Sequence, residues 1–226
     1  MRPFMPFLRS SKYFIPNTQL LKLAAIDELC QASQGEHMGA STSWLAVKGK
    51  PQAKILAALS LRIGDSPQDA QETGLQGCEF PGGWYVIMAG GYEHPLTEEK
   101  TLKALSAGCE LIAGGVEEHV MCSFARCWKD GREIWFVARD SEAGREDLIK
   151  RGRLPDVFAG IEEELRAEQE AEGGPDCGVD FIFSAPDMLT KALTGFHFDE
   201  SGSDEEWHSL VPEGPRKSWL GGLFGK

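Results

Sequence analysis

Hydrophobic and polar positions are ordered most clearly at residues 116–140, VEEHVMCSFARCW, KDG and REIWFVARD. Two runs rich in aromatic and β-branched side chains flank Asp130-Gly131. That pair suits a type I′ turn, which needs positive φ at both central residues. The pattern predicts a hairpin pairing Lys129 with Arg132, Trp128 with Glu133, Cys127 with Ile134, Arg126 with Trp135, Ala125 with Phe136 and Phe124 with Val137. Period-two alternation groups Met121, Ser123, Ala125, Cys127, Ile134, Phe136 and Ala138 on one small apolar face that reads as core. Phe124, Arg126, Trp128, Trp135, Val137 and Arg139 fall on the other, which suits either a core margin or a docking surface.

Residues 44–49 (WLAVKG) read as a strand. Pro51 suits a first helical position, and QAKILAALSL supplies Ile55, Leu56, Leu59 and Leu61 to a helix ended by Gly64. Residues 64–83 are polar and carry glycine and proline, which predicts an exposed loop. WYVIMA (84–89) is short and apolar, a buried strand. Thr97 is placed to cap a helix over EEKTLKALSA that Gly108 stops. Residues 109–113 form the next strand, and Gly114-Gly115 lets the chain bend or bulge into the hairpin. Beyond the hairpin, EAGREDLIKRG predicts a short exposed helix and DVFAGIEEELRAEQEAE a longer one, with Val157, Phe158, Ile161 and Leu165 on its apolar stripe. VDFIF (179–183) reads as a last strand, and Pro186 opens a helix that Gly195 ends. This order predicts an α+β fold, a mixed, mainly antiparallel sheet with helices packed on one face.

The chain divides by composition into an N-terminal extension (1–37), one α+β domain (38–198), and an acidic segment with a basic, aromatic tail (199–226). The extension has two readings. Residues 18–32 suit an amphipathic helix packed on the domain. Alternatively, QGEHM (34–38) back-translates to a ribosome-binding sequence ahead of a start codon, which would place the biological start at Met38. Pro3 and Pro6 interrupt any signal-peptide apolar run, no stretch is long enough to span a bilayer, and the expected location is the cytoplasm.

A net charge of −12, from 23 basic and 35 acidic residues, opposes a nucleic-acid partner and suits a basic protein. The six cysteines lack CxxC spacing and several sit in apolar strands, so they read as reduced, buried thiols. The double glycines 82–83, 90–91 and 114–115 fail both the GxGxxG and P-loop patterns, and no cofactor is implied. Glu117 and His119 are the candidates for chemistry. On a strand they point to one side and Glu118 to the other, an arrangement suited to a metal site or an acid–base pair. The second histidine of HExxH is missing, and His37, His94, His197 and His208 show no ligand spacing. The structural reading pairs Glu117 and His119 with neighbouring strands or with Arg139 and Arg145. On the hairpin, Trp128 and Trp135 beside Arg126 form the kind of cluster found at protein-interface hot spots.

Through LSAGCELIAGGVEEHVMCSFARCWKDGREIWFVARD, RGRLPDVF, VDFIF and LTGFHFDE, the chain resembles a recurring group of uncharacterised bacterial proteins, over roughly Trp44 to Glu200. The resemblance implies a bacterial, cytosolic, stand-alone domain and carries no reaction across. The expected function is a non-enzymatic protein-binding domain of immunity type, neutralising a basic toxin through Arg126, Trp128 and Trp135. The alternative is a small-ligand or metal-binding enzyme domain with its site around Glu117 and His119.

Overall fold

Along β1 (Ser41–Lys48), Trp44 and Ala46 are buried on one side and Leu45 and Val47 on the other. A strand buried on both sides needs neighbours in a sheet and cover on both faces. The computed structural model supplies these, and it describes residues 39–140, 148–174, 178–199 and 206–214. The N-terminal extension, the first residues of the helix expected after the hairpin, Cys30, Cys177 and the aromatic tail lie outside the described residues.

β1 pairs with β4 (Trp84–Gly90) on one side and β5 (Glu110–Glu117) on the other. The sheet extends from β4 to β3 (Leu75–Phe80), β9 (His208–Pro212) and β2 (Leu61–Ile63), and from β5 to β6 (Cys122–Lys129), β7 (Arg132–Asp140) and β8 (Ile149–Gly152). All nine strands pair antiparallel, so the α+β class stands and the sheet is antiparallel throughout. β9 falls in the segment that composition set outside the domain, yet it sits between β2 and β3.

The described helices cover both faces, where the sequence predicted one. α1 (Gln52–Ala58) and α3 (Glu99–Leu105) bury Ile55, Leu56, Leu102 and Leu105 against Leu45, Val47 and Ile87. α4 (Val157–Ala171) and α5 (Ala185–Thr194) bury Phe158, Leu165, Ala185 and Leu189 against Trp44, Val86 and Val137. The cause lies in β1 and β4, whose WLAV and WYVIMA runs are continuously apolar rather than alternating, so each face needs its own cover.

Three further expectations change. The expected loop at 64–83 holds α2 (Gln68–Thr73), which Gly74 ends at φ 68°, and then β3, whose polar Gln76 and Glu79 thin its apolar signal. Residues 179–183 do not form a strand: Phe181–Ser184 is a 3-10 turn, with the Asp180 carboxylate accepting the Phe183 N–H at 3.2 Å. The expected helix after the hairpin gives way to β8 at its far end.

The hairpin turn forms as expected, with Asp130 at φ 49° and Gly131 at φ 75°. Lys129 pairs with Arg132 and Trp128 with Glu133, but then the register shifts and Cys127 pairs with Trp135. Ile134 is the extra residue of a β-bulge, which reverses the facing of every later β7 side chain. Trp135 and Val137 therefore join Ala125 and Cys127 in the core beneath α4 and α5, while Ile134 is 42% exposed.

Candidate functional site

Glu117 ends β5, and His119 follows in a tight turn that Met121 completes at φ 51°. The Ser41 hydroxyl donates to Glu117 Oε2 at 2.5 Å, and His119 Nδ1 lies 2.6 Å from Glu117 Oε1. Ser41 first and His119 second hold the Glu117 carboxyl below the usual carboxylate range. The His119 side chain is 54% exposed, and among the described residues no group of three His, Cys, Asp or Glu is placed to hold a metal ion. The two candidate residues therefore meet, as a hydrogen-bonded pair at the end of β5.

A carboxyl depressed in the folded state stabilises most above its unfolded pKa, and the gain is lost as pH falls through the folded pKa. Ser41→Ala should therefore raise the Glu117 titration midpoint, read by NMR of its carboxyl carbon, and weaken the acid-side fall in stability. An unchanged midpoint would show that the Ser41 hydroxyl does not hold the carboxylate.

Arg126, Trp128 and Trp135 do not form a common face. Each tryptophan is 4% exposed, and the two lie on opposite sides of the sheet, Trp128 with Leu105 and Leu111, Trp135 with Cys127 and Val137. Arg126 instead places its guanidinium 5.0 Å from the Phe136 ring, which Arg151 approaches at 4.0 Å. Glu133 sits beside both arginines, 3.9 Å from Arg126 and 3.5 Å from Arg151. Of the described cysteines, Cys78, Cys109 and Cys127 are buried. Burial pushes the Cys127 thiol up to about 12 and raises Cys109 as well, opposite to what a nucleophilic thiolate needs.

Glu118 leads to a different site. Its Oε2 accepts the Ala40 N–H at 2.7 Å, and its side chain lines a cavity of about 190 Å³ together with Ser184, Asp187, His197, Phe198 and Asp199. Asp187 lies in the first turn of α5, where the helix dipole favours an acid, but its side chain turns inward and is 3% exposed. Gly195, at φ 80°, ends α5 and reverses the chain. That reversal brings His197 Nε2 to 2.7 Å from Asp187 Oδ2.

Aromatic packing fixes the His197 ring. It stacks on Phe198 at 5.5 Å, and Phe198 stacks parallel on Trp44 at 6.0 Å. Phe196, fully buried, is wedged against Trp44, Phe80 and Trp207. Asp187 Oδ1 has no hydrogen-bond donor among the described residues. Exposed Glu118 and Asp199 thus stand at the rim of a cavity whose inner wall carries a buried carboxylate and a half-buried imidazole. Sequence reasoning missed this set. Asp187 and His197 lie a helix apart, and only the capping glycine and the apolar Phe196 and Phe198 hint that the chain returns.

Comparison with known proteins finds no matching family model, no similar curated protein and no similar solved structure. No helix among the described residues is long and apolar enough to cross a membrane.

Proposed function

We propose that this chain is a non-enzymatic binding domain for a basic protein, acting in the manner of a bacterial immunity protein that neutralises a toxin. The observation that carries this reading is the outer face of α4, where Glu163, Glu164, Glu168 and Glu170 are exposed, with Glu172 just beyond. Arg166, the sole basic residue of that helix, bonds Glu162 at 2.9 Å, and Lys150 reaches the same carboxylate at 2.9 Å. Glu163, Glu164, Glu168 and Glu170 show no ion pair among the described residues, and on a chain of net charge −12 they favour encounter with a positively charged surface. The Arg126, Trp128 and Trp135 cluster no longer supplies the contact, because both tryptophans are core.

Affinity capture from the native cells with the full chain, at low and high salt, tests the reading. A basic protein should be retained at low salt, released at high salt, and bound at least about tenfold more weakly by Glu163→Lys/Glu164→Lys/Glu168→Lys, since like charges brought together across an interface oppose docking. Equal retention by the charge-reversed chain, or no basic protein retained by either, overturns it.

A further inference from the structure

We infer that residues 91–97 form an acid-opened flap latched by His94: a neutral ring holds the flap against β1, and a protonated ring releases it and uncovers Leu96 and Phe124. The inference rests on the geometry of this segment and is independent of the protein-binding reading.

The latch is a histidine used as a cap. In the 3-10 turn Pro95–Thr97 the Leu96 N–H donates to His94 Nδ1 at 3.2 Å. An imidazole can accept there when its one proton sits on Nε2. A proton bound at Nδ1 turns the acceptor into a donor that faces the Leu96 N–H, so the cap is lost and two donors oppose each other. A serine, threonine or asparagine cap would do the same structural work without titrating near neutral pH, which is the property histidine adds.

The rest of the segment is poised to move once the cap goes. Glu93 has φ 55°, a left-handed conformation unfavourable for a side chain of this type, and opening relieves it. Two serine hydroxyls tie the segment to β1. Ser43 donates to the Gly91 carbonyl oxygen at 2.9 Å and accepts the His94 N–H at 3.3 Å, and Ser41 Oγ accepts the Tyr92 N–H at 3.0 Å. Beneath the flap, Leu96 is buried with the core layer of Leu45 and Leu102, and Tyr92 stands edge-on to buried Phe124 at 5.6 Å.

The charges around the segment set the direction of the switch. Burial lowers the tendency of His94 to protonate, and it outweighs Glu98, whose charge at the start of α3 favours the imidazolium. β1 faces the segment with the uncharged hydroxyls of Ser41 and Ser43. Cys122, Glu93, Asp140 and Arg126 act on Tyr92, and Glu117 acts through Ser41. Because the closed flap binds the His94 proton more weakly than an open one, acid favours opening. The closed state is fully favoured above the ordinary histidine value of about 6.5, and it loses ground as pH falls through that value toward the lower one of the closed flap.

The test is a series on the full chain from about pH 8 to about pH 5, across the histidine range. NMR reads the His94 ring nitrogens, and hydrogen exchange, corrected for its intrinsic pH dependence, reads the Leu96 amide. At the alkaline end the His94 proton should sit on Nε2. Leu96 protection should fall at least about tenfold with the midpoint of the His94 ring, as expected of a local opening. Fluorescence of added anilinonaphthalenesulfonate, a probe of exposed apolar surface, should rise in step. His94→Asn keeps an acceptor for the Leu96 N–H but does not titrate, so Leu96 should stay protected throughout and the fluorescence rise should vanish. His94→Ala should leave Leu96 unprotected at both ends. The other histidines titrate alike in parent and variants, so they cannot produce this pattern. Leu96 protection that ignores the His94 titration, a neutral His94 protonated on Nδ1, or a pH dependence that survives in His94→Asn overturns the inference.

Discussion

Trp135→Ala should cost about 3–5 kcal/mol, the range for deleting a large buried aromatic. Ile134→Ala, one residue earlier on the same strand, should cost less than about 0.5 kcal/mol, as exposed substitutions do. Trp135 is 4% exposed and packs in the core layer with Cys127 and Val137, whereas Ile134 is 42% exposed. An unbroken hairpin register would reverse the two, placing Ile134 opposite Cys127 in the core and turning Trp135 outward. Urea unfolding of the two variants separates these registers: at constant m, the midpoint should fall steeply for Trp135→Ala and hardly move for Ile134→Ala. Equal losses, or a larger loss at Ile134, would remove the bulge and reinstate a face shared by Trp128 and Trp135.

The hairpin shows where local chemistry stops informing the fold. Asp130-Gly131 specifies its turn within two residues, and the first two cross-strand pairs follow from it. The bulge depends on a third strand. Gly152 in β8 pairs with Trp135, and at φ 70° a Cβ there would run into the Ile134 carbonyl oxygen, so the bulged backbone needs glycine opposite it. Nothing within residues 116–140 carries that requirement. The same limit explains β9, which is placed by Gln76, Gly77 and Leu61–Ile63 from far upstream.

The candidate sites divide the same way. Glu117 and His119 are two residues apart and were legible as a pair, yet their proximity ends in a hydrogen bond to a half-exposed histidine. Asp187 and His197 meet because α5 ends at Gly195 and the aromatic residues beyond it pack on Trp44. Each looks ordinary alone, an acid in a first helical turn and a histidine in an aromatic run. Their meeting is a property of the core and not of the spacing.

Gly114→Ala should cost about 1–3 kcal/mol, the range for overpacking a well-filled core. Gly114 and Gly115 read as a bend from sequence, but β5 runs through both, and the reason for glycine is steric. A Cβ at Gly114 would stand 2.5 Å from Trp44 Cε2, on the central strand pair β1–β5. Trp44 is 1% exposed and held by Phe196 and Phe198, so the ring can yield only by pushing on the column that carries His197. The mutation should therefore shift the His197 ring resonances as well as lower the urea midpoint. In a double-mutant cycle, Trp44→Leu should make room for the new methyl, and Gly114→Ala should then cost at least about 1 kcal/mol less, as expected for residues in contact. Strict additivity, or a Gly114→Ala variant as stable as the parent with His197 unmoved, would break the proposed link between the sheet centre and the Asp187 cavity.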